Sequence, residues 1–306
     1  MEPRRVELQD RAVVALDGPD GRPFLQGIVS NDVQKLAPDR ALYAALLTPQ
    51  GKYLFDFILF EDGGEILLDA EAARLDELIQ RLTMYRLRAK VEIRDRSEDL
   101  AVAALLGEGL AERLGLPAEP GAARRLDAGL VAIDPRLEAL GARAILPRAE
   151  LEHGAAGLDA FAPAPFELWE RRRLELGVPA SGRDLVVQKS TLLESNFEAL
   201  NGVDFAKGCY VGQELTARTK YRALVRKRLL PVRLEGPCPP PGTPVLLGEQ
   251  DAGEIRSGQD DRAIALMRLE VLEKWRRDGG ALHADGTRVI PEWPDWLPEG
   301  GAAASG

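Results

Sequence analysis

Four prolines and two glycines crowd into eight residues at Glu235–Gly242, EGPCPPPG. Proline lacks the amide proton that a helix or an inner strand needs, so this segment can only be a loop. It marks a change of structure along the chain. After it, Thr243–Leu247, Glu254–Ser257 and Arg262–Leu269 are short apolar runs that read as strands, and Val225–Leu234 before it is expected to pair with them. The expectation is a small β-barrel or sandwich over residues 226–297, with a disordered tail at 298–306, PEGGAAASG.

Upstream, Ala12–Leu16, Ala41–Thr48, Tyr53–Phe60 and Glu65–Asp69 read as strands, with a hairpin signal at Asp62-Gly63-Gly64. Val91–Asp95, Leu100–Leu106, Leu130–Asp134 and Ala142–Leu146 read likewise. Helices are expected at Gly21–Val29, Ala70–Tyr85, around Glu108–Leu114 and at Phe166–Leu176, the last stopped by Gly177 and Pro179. Strands and helices alternate irregularly, with hairpins, which favours α+β over a doubly wound parallel sheet. Residues 1–225 are taken as one α+β region of two interleaved subdomains. Pro179–Gly208 shows little periodicity, and long ordered connections of this kind tend to carry function. Gly212–Tyr221 reads as a short helix.

Scarce residues narrow the chemistry. The 306-residue chain has two cysteines, Cys209 and Cys238, and two histidines, His153 and His283. That is too few for a disulfide framework or a four-cysteine metal site, and neither histidine sits in a ligand-spaced pair. No G-x-S-x-G elbow accompanies a histidine, so a serine triad is not indicated. A net charge of −9 argues against broad nucleic-acid binding. Nothing is long and apolar enough to span a membrane, and MEPRRVELQD lacks the apolar core of a secretory signal. Few cysteines and no signal point to a reducing, cytoplasmic location.

The most unusual segment is Lys207–Arg218, KGCYVGQELTAR. Gly208 and Gly212 permit positive φ and close backbone approach. Cys209 lies between a lysine and the start of a helix, both of which favour thiolate over thiol. Gln213 and Glu214 suit the helix start, and Arg218 stands at ion-pair spacing from Glu214. A small buried cysteine in a glycine-rich turn is the competing reading. Cys238, in the proline-rich loop, has no cation beside it.

KGCYVGQE, including Tyr210, resembles the K-G-C-[YF]-x-G-Q-E signature of the YgfZ family, folate-binding proteins related to the aminomethyltransferase (T-protein) of the glycine cleavage system. FLQGIVSNDV (Phe24–Val33), LTPQGK (Leu47–Lys52), YRLRAKVEI (Tyr85–Ile93) and RLELGVP (Arg173–Pro179) resemble further blocks of that family, in order. The resemblance implies a T-protein-like fold with a central folate pocket and a C-terminal β-barrel. It implies tetrahydrofolate or a derivative as cofactor. It also implies a part in making or repairing iron–sulfur enzymes, including tRNA methylthiolation enzymes, with Cys209 as the reactive residue and iron–sulfur enzymes or cluster-assembly proteins as partners. A folate-dependent aminomethyl or one-carbon transferase or demethylase is the alternative, and a binding module with a structural cysteine is a third. A weak tRNA contact would use Arg218–Arg228, RTKYRALVRKR, which holds six Lys or Arg in eleven residues.

A folate needs a carboxylate for its pterin, aromatic walls and a cation for its glutamate tail. Glu175 is the candidate carboxylate, with a surface pair to Arg171 as the competing use. Tyr85 and Tyr43 are candidate walls, Arg88 or Arg173 candidate tail cations, and Asn31 a candidate polar contact. T-proteins resemble G-G-x-x-D-D where a carboxylate meets the reacting nitrogen. Here Gly51–Asp56 reads GKYLFD, leaving Asp56 and placing Phe55 at the first Asp position. A second departure is Ala223, where Y-R-G is expected after the signature.

Overall fold

The structure is a computed structural model that describes residues 1–153, 158–222 and 225–298. The chain forms two compact units. One comprises Met1–Trp169 with Leu200–Gln213, and the other Glu170–Ala199 with the residues from Glu214 onward.

The first unit holds two sheets. In the five-stranded sheet, Leu42–Leu47, Tyr53–Asp62, Glu65–Glu71, Arg11–Asp17 and Glu92–Asp95 lie side by side in that order, all antiparallel. Every residue of Leu42–Leu47 and of Tyr53–Phe60 is buried, so both faces are covered and the strands read as unbroken apolar runs. The hairpin signal is realised: Asp62 pairs with Glu65 across Gly63 and Gly64, both at positive φ. The six-stranded sheet runs Ala162–Pro163, Arg4–Glu7, Leu100–Leu106, Ala142–Pro147, Gly129–Ile133, Ala123–Leu126. Its apolar face buries Leu105, Val131, Ile133 and Leu146 with Leu110, Leu114 and Phe161.

Arg4–Glu7 and Ala123–Leu126 escape the sequence reading because paired arginines interrupt their alternation. The helix read from Ala70 begins at Leu75. Ala70 and Glu71 are still held in the sheet opposite Ala12 and Arg11, and ladder bonds override helical propensity there. The helix from Gly21 ends at Gln26.

In the second unit, Lys227–Glu235, Arg262–Arg268, Gln250–Gln259, Pro244–Leu247, Leu282–Ala284 and Thr287–Pro291 close into a barrel. Of the two expected architectures it is therefore the barrel that forms. Its interior packs Leu230, Val232, Val245, Ile255, Ala265, Met267 and Val289. A helix, Leu269–Asp278, and the last two strands complete it beyond what the sequence reading proposed. Glu170–Ala199 belongs with the barrel rather than with the residues before it. Leu229 N–H donates to Glu194 O at 2.9 Å, Asn196 Nδ2 to Leu229 O at 2.7 Å and Trp296 Nε1 to Leu176 O at 2.8 Å. Pro298 is the only described residue of the expected tail; the remainder, 299–306, lies outside the described residues.

Candidate functional site

Lys207, Cys209 and Tyr210 are disposed in, out and in: Lys207 and Tyr210 are buried, Gly208 and Cys209 exposed. The Lys207 ammonium donates to the carbonyl oxygens of Gln26 at 2.9 Å, Val29 at 2.5 Å and Asn31 at 2.8 Å. These carbonyls lie at the end of the helix Gly21–Gln26 and in the turn after it, where backbone acceptors lack intrahelical partners. The ammonium also stands 4.9 Å from the centre of the Tyr210 ring. Burial lowers the Lys207 pKa from 10.5 to about 8, against the pull of Asp32 and Asp204, so it remains charged at pH 7. The lysine that the sequence placed as a thiolate partner is thus turned inward as a strut.

The two glycines of the signature differ. Gly212 has φ +82°, and a Cβ there would overlap the Thr48 carbonyl oxygen and lie 2.8 Å from Leu47 Cβ. It is the close approach that seats the signature on the LTPQGK turn. Gly208 is not at positive φ and a Cβ on it would meet nothing within 4 Å. Gln213 opens the helix Gln213–Tyr221, its N–H donating to Tyr210 O at 3.3 Å, and Glu214 and Arg218 are exposed. Ala223 lies outside the described residues. Two cations of the basic stretch are engaged: Lys220 pairs with Glu198 at 2.5 Å, and Arg228 Nη1 donates to Asn196 Oδ1 at 2.9 Å.

The FLQGIVSNDV block is the other half of this seat. Val211 N–H donates to Gly27 O at 3.2 Å, Ser30 Oγ to Gly202 O at 2.6 Å, and Asp204 N–H to Ser30 O at 3.1 Å. Asn31 Nδ2 donates to Tyr43 O at 2.7 Å and to Asn201 O at 2.8 Å. Asn31 is therefore a buried clasp between segments 170 residues apart.

Asn31, Tyr43 and Asp56 come together. Asp56 is buried and accepts from Tyr43 Oη at 2.9 Å and Tyr53 Oη at 2.6 Å. A bulge makes this possible: Leu46 pairs with Phe55 but Leu47 with Tyr53, so Leu54 is extra and Tyr53 turns to the face of Asp56. Burial foremost, then the Asp56 charge, raises both tyrosine pKa values well above 10. Phe55 lies on the opposite face, with the Arg74 guanidinium 4.2 Å from its ring centre.

The remaining candidates are elsewhere. Tyr85 is half-buried at the end of the helix Leu75–Arg86 and Arg88 is exposed just beyond it. Glu175, in the second unit, pairs with Arg171 at 3.0 Å, one helical turn away, which is the competing use its spacing allowed. Arg173 is fully buried. It donates to Glu170, Asp184, Ser257 and the Val178 carbonyl, which leaves no free edge for a ligand carboxylate.

Sequence reasoning missed a buried ionic cluster in the first unit. Arg136 makes a two-pronged pair with Asp134 at 2.9 and 2.7 Å, and Arg11 Nε bonds Asp69 at 2.5 Å. Arg143 lies between them, 3.4 Å from Asp134 and 3.6 Å from Asp69, with Trp169 4.9 Å from its guanidinium. Burial pushes the Asp134 carboxyl up, and Arg136 and Arg143 more than offset it, leaving it below the usual range. Arg143, alone in the apolar strand ARAILP, was the available signal.

Among the described residues, no three His, Cys, Asp or Glu side chains gather as metal ligands, and no helix is long and apolar enough to cross a membrane. The architecture is that of a T-protein-like fold. The structure superposes on the glycine cleavage system aminomethyltransferase T from Bartonella henselae with a TM-score of 0.75, covering 97% of this chain and 86% of that one at 15% identity. Residues 226–299 match the family described as CAF17, C-terminal beta-barrel domain. The chain is 35% identical to the human mitochondrial iron–sulfur cluster assembly factor IBA57, over 95% of its own length and 84% of the relative's. For the mouse protein the figures are 33%, 94% and 84%. It belongs to the IBA57 family of iron–sulfur cluster assembly factors.

Two expectations change. The YgfZ resemblance holds coarsely, in fold and in the iron–sulfur connection, but the relatives form a distinct branch. The cytoplasmic location is overturned, because the relatives are named as mitochondrial. Scarce cysteines report reducing conditions, not which compartment supplies them.

Proposed function

We propose that this chain is an accessory factor of iron–sulfur cluster assembly that acts through the Cys209 thiolate on a cluster carried by another protein. The observation that carries the reading is the disposition of the signature: Lys207 and Tyr210 anchor the loop on either side and leave Cys209 in solvent. An exposed thiol, with no group of three His, Cys, Asp or Glu ligands among the described residues, suits a cluster shared with a partner, not one held alone. Cys209 would pass its proton to the departing carrier thiolate, which leaves as a thiol, and take its place on iron, with no change in oxidation state.

Tetrahydrofolate stands within this reading as a ligand suggested by the resemblance. Of the contacts expected for it, Arg173 and Glu175 are engaged and Asp56 is already capped by two hydroxyls. No step is assigned to it. Phe55 speaks against aminomethyl transfer, which needs a carboxylate at the reacting nitrogen. tRNA methylthiolation enzymes are the proposed clients.

The test is complementation. Cells lacking their own homologue are given wild type, Cys209→Ala or Asp56→Asn, and tRNA methylthiolation is assayed at equal protein abundance. Rescue by wild type and at least tenfold loss with Cys209→Ala is expected. Full rescue by Cys209→Ala would leave a binding module whose cysteine is incidental.

A further inference from the structure

The helix Leu75–Arg86 ends on an ill-suited residue. Leu87 closes it at φ +46° and ψ −106°, a conformation that strains any side chain with a Cβ and that glycine adopts freely. Leu87 is also 88% exposed, and Met84, one turn earlier, 55%. Neither the backbone nor burial rewards a leucine here.

The turn is nonetheless firmly held. Ala89 N–H donates to Arg86 O at 2.8 Å, Arg86 Nη1 to Val91 O at 3.2 Å, and Lys90 N–H to Asp20 Oδ2 at 2.8 Å. A Cβ on Gly18 would overlap the Lys90 carbonyl oxygen. A strained, well-anchored turn that projects an apolar side chain is a feature that function has to explain.

Its surroundings say what would meet it. Residues 81–90 include Arg81, Arg86, Arg88 and Lys90 and no carboxylate, in a chain of net charge −9. Asp20, which anchors the turn, immediately precedes the helix Gly21–Gln26, and the far end of that helix supplies carbonyls to Lys207. Six helical residues span about 9 Å. The Leu87 turn and the Cys209 loop are therefore seated at the two ends of one short rod.

We propose that Met84 and Leu87, rimmed by Arg86, Arg88 and Lys90, form the docking knob for an acidic protein that exchanges its iron–sulfur cluster at Cys209. This rests on the reading of Cys209 given above. An apolar knob inside a charged rim is the anatomy of a protein interface, and the basic rim selects an acidic counterpart. An anionic bilayer is the weaker fit. Two side chains offer less hydrocarbon than one myristoyl chain, which itself binds membranes only marginally.

The test uses the full chain. Leu87→Gly removes the knob and suits the backbone, so its thermal midpoint should equal or exceed that of wild type. Rescue of tRNA methylthiolation should nevertheless fall at least fivefold, as it should with Arg88→Glu/Lys90→Glu. A photo-crosslinking benzoylphenylalanine at position 87 should give an adduct with an acidic protein in cells, lost when Arg88 and Lys90 are reversed. Full rescue by both variants overturns the knob, and does so without touching the Cys209 reading if Cys209→Ala still fails. Full rescue by Cys209→Ala with failure of Leu87→Gly removes the cluster exchange and overturns the proposal in that form. Co-sedimentation with phosphatidylserine vesicles that Leu87→Gly abolishes overturns the acidic-protein occupant.

Discussion

Replacing Lys207 with methionine keeps the length of the side chain and removes its ammonium, so the variant isolates the strut beneath Cys209. Three charge-assisted hydrogen bonds disappear, to the carbonyls of Gln26, Val29 and Asn31. At about 1.5–3 kcal/mol each, they stabilise the folded chain by about 5–9 kcal/mol. Burial of the charge opposes them: the fall from 10.5 to about 8 corresponds to about 3.4 kcal/mol. The difference predicts a loss of about 2–6 kcal/mol at pH 7, read from urea unfolding. The pH dependence has a definite sign. Because the folded value lies below the unfolded one, the folded chain sheds its proton first, and stability contributed by Lys207 rises between pH 8 and 10.5. The gap between wild type and Lys207→Met should therefore widen by about 2 kcal/mol from pH 7.5 to pH 9.5. The Cys209 thiol should also react faster with a disulfide reagent in the variant, because its loop has lost an anchor. A loss under about 0.5 kcal/mol at pH 7, within the range of an ordinary surface change, would refute the strut.

Gly212→Ala and Gly208→Ala should part company. The first meets the Thr48 carbonyl and Leu47 Cβ at φ +82° and should cost about 2 kcal/mol or more, while the second, with open space around it, should stay within about 0.5 kcal/mol in the same unfolding assay. The chain has five tyrosines, and burial beside Asp56 raises Tyr43 and Tyr53 well above 10. In a spectrophotometric titration these two should ionise only on unfolding, and their titration with the exposed tyrosines would show that the Asp56 centre is open to solvent.

How far this fold was legible follows from which forces are local. The hairpin at Gly63-Gly64 and the helix Phe166–Leu176 could be read because turn and stop chemistry lies in adjacent residues. The pair Arg171–Glu175 was equally visible as a one-turn spacing. Lys207 shows the limit. In sequence it lies two residues from Cys209, but its side chain is buried where Cys209 is exposed, and its partners lie some 180 residues upstream. The cluster of Arg11, Asp69, Arg143, Asp134 and Arg136 draws on strands of two sheets, so only tertiary pairing assembles it.

The segment GKYLFD carries this argument furthest. Its sequence shows that one carboxylate remains where the resembled T-protein pattern has two, but not which way that carboxylate faces. Strand alternation alone would set Tyr53 on the face opposite Asp56. The extra residue Leu54 reverses this, and the carboxylate is closed from two sides by Tyr43 and Tyr53 while Phe55 and Arg74 occupy the other face. A general base needs a free lone pair within reach of its substrate. Here Asp56 is buried and its carboxylate is engaged by both hydroxyls, which is why the function proposed above rests on the exposed thiol of the signature, Cys209, and not on this carboxylate.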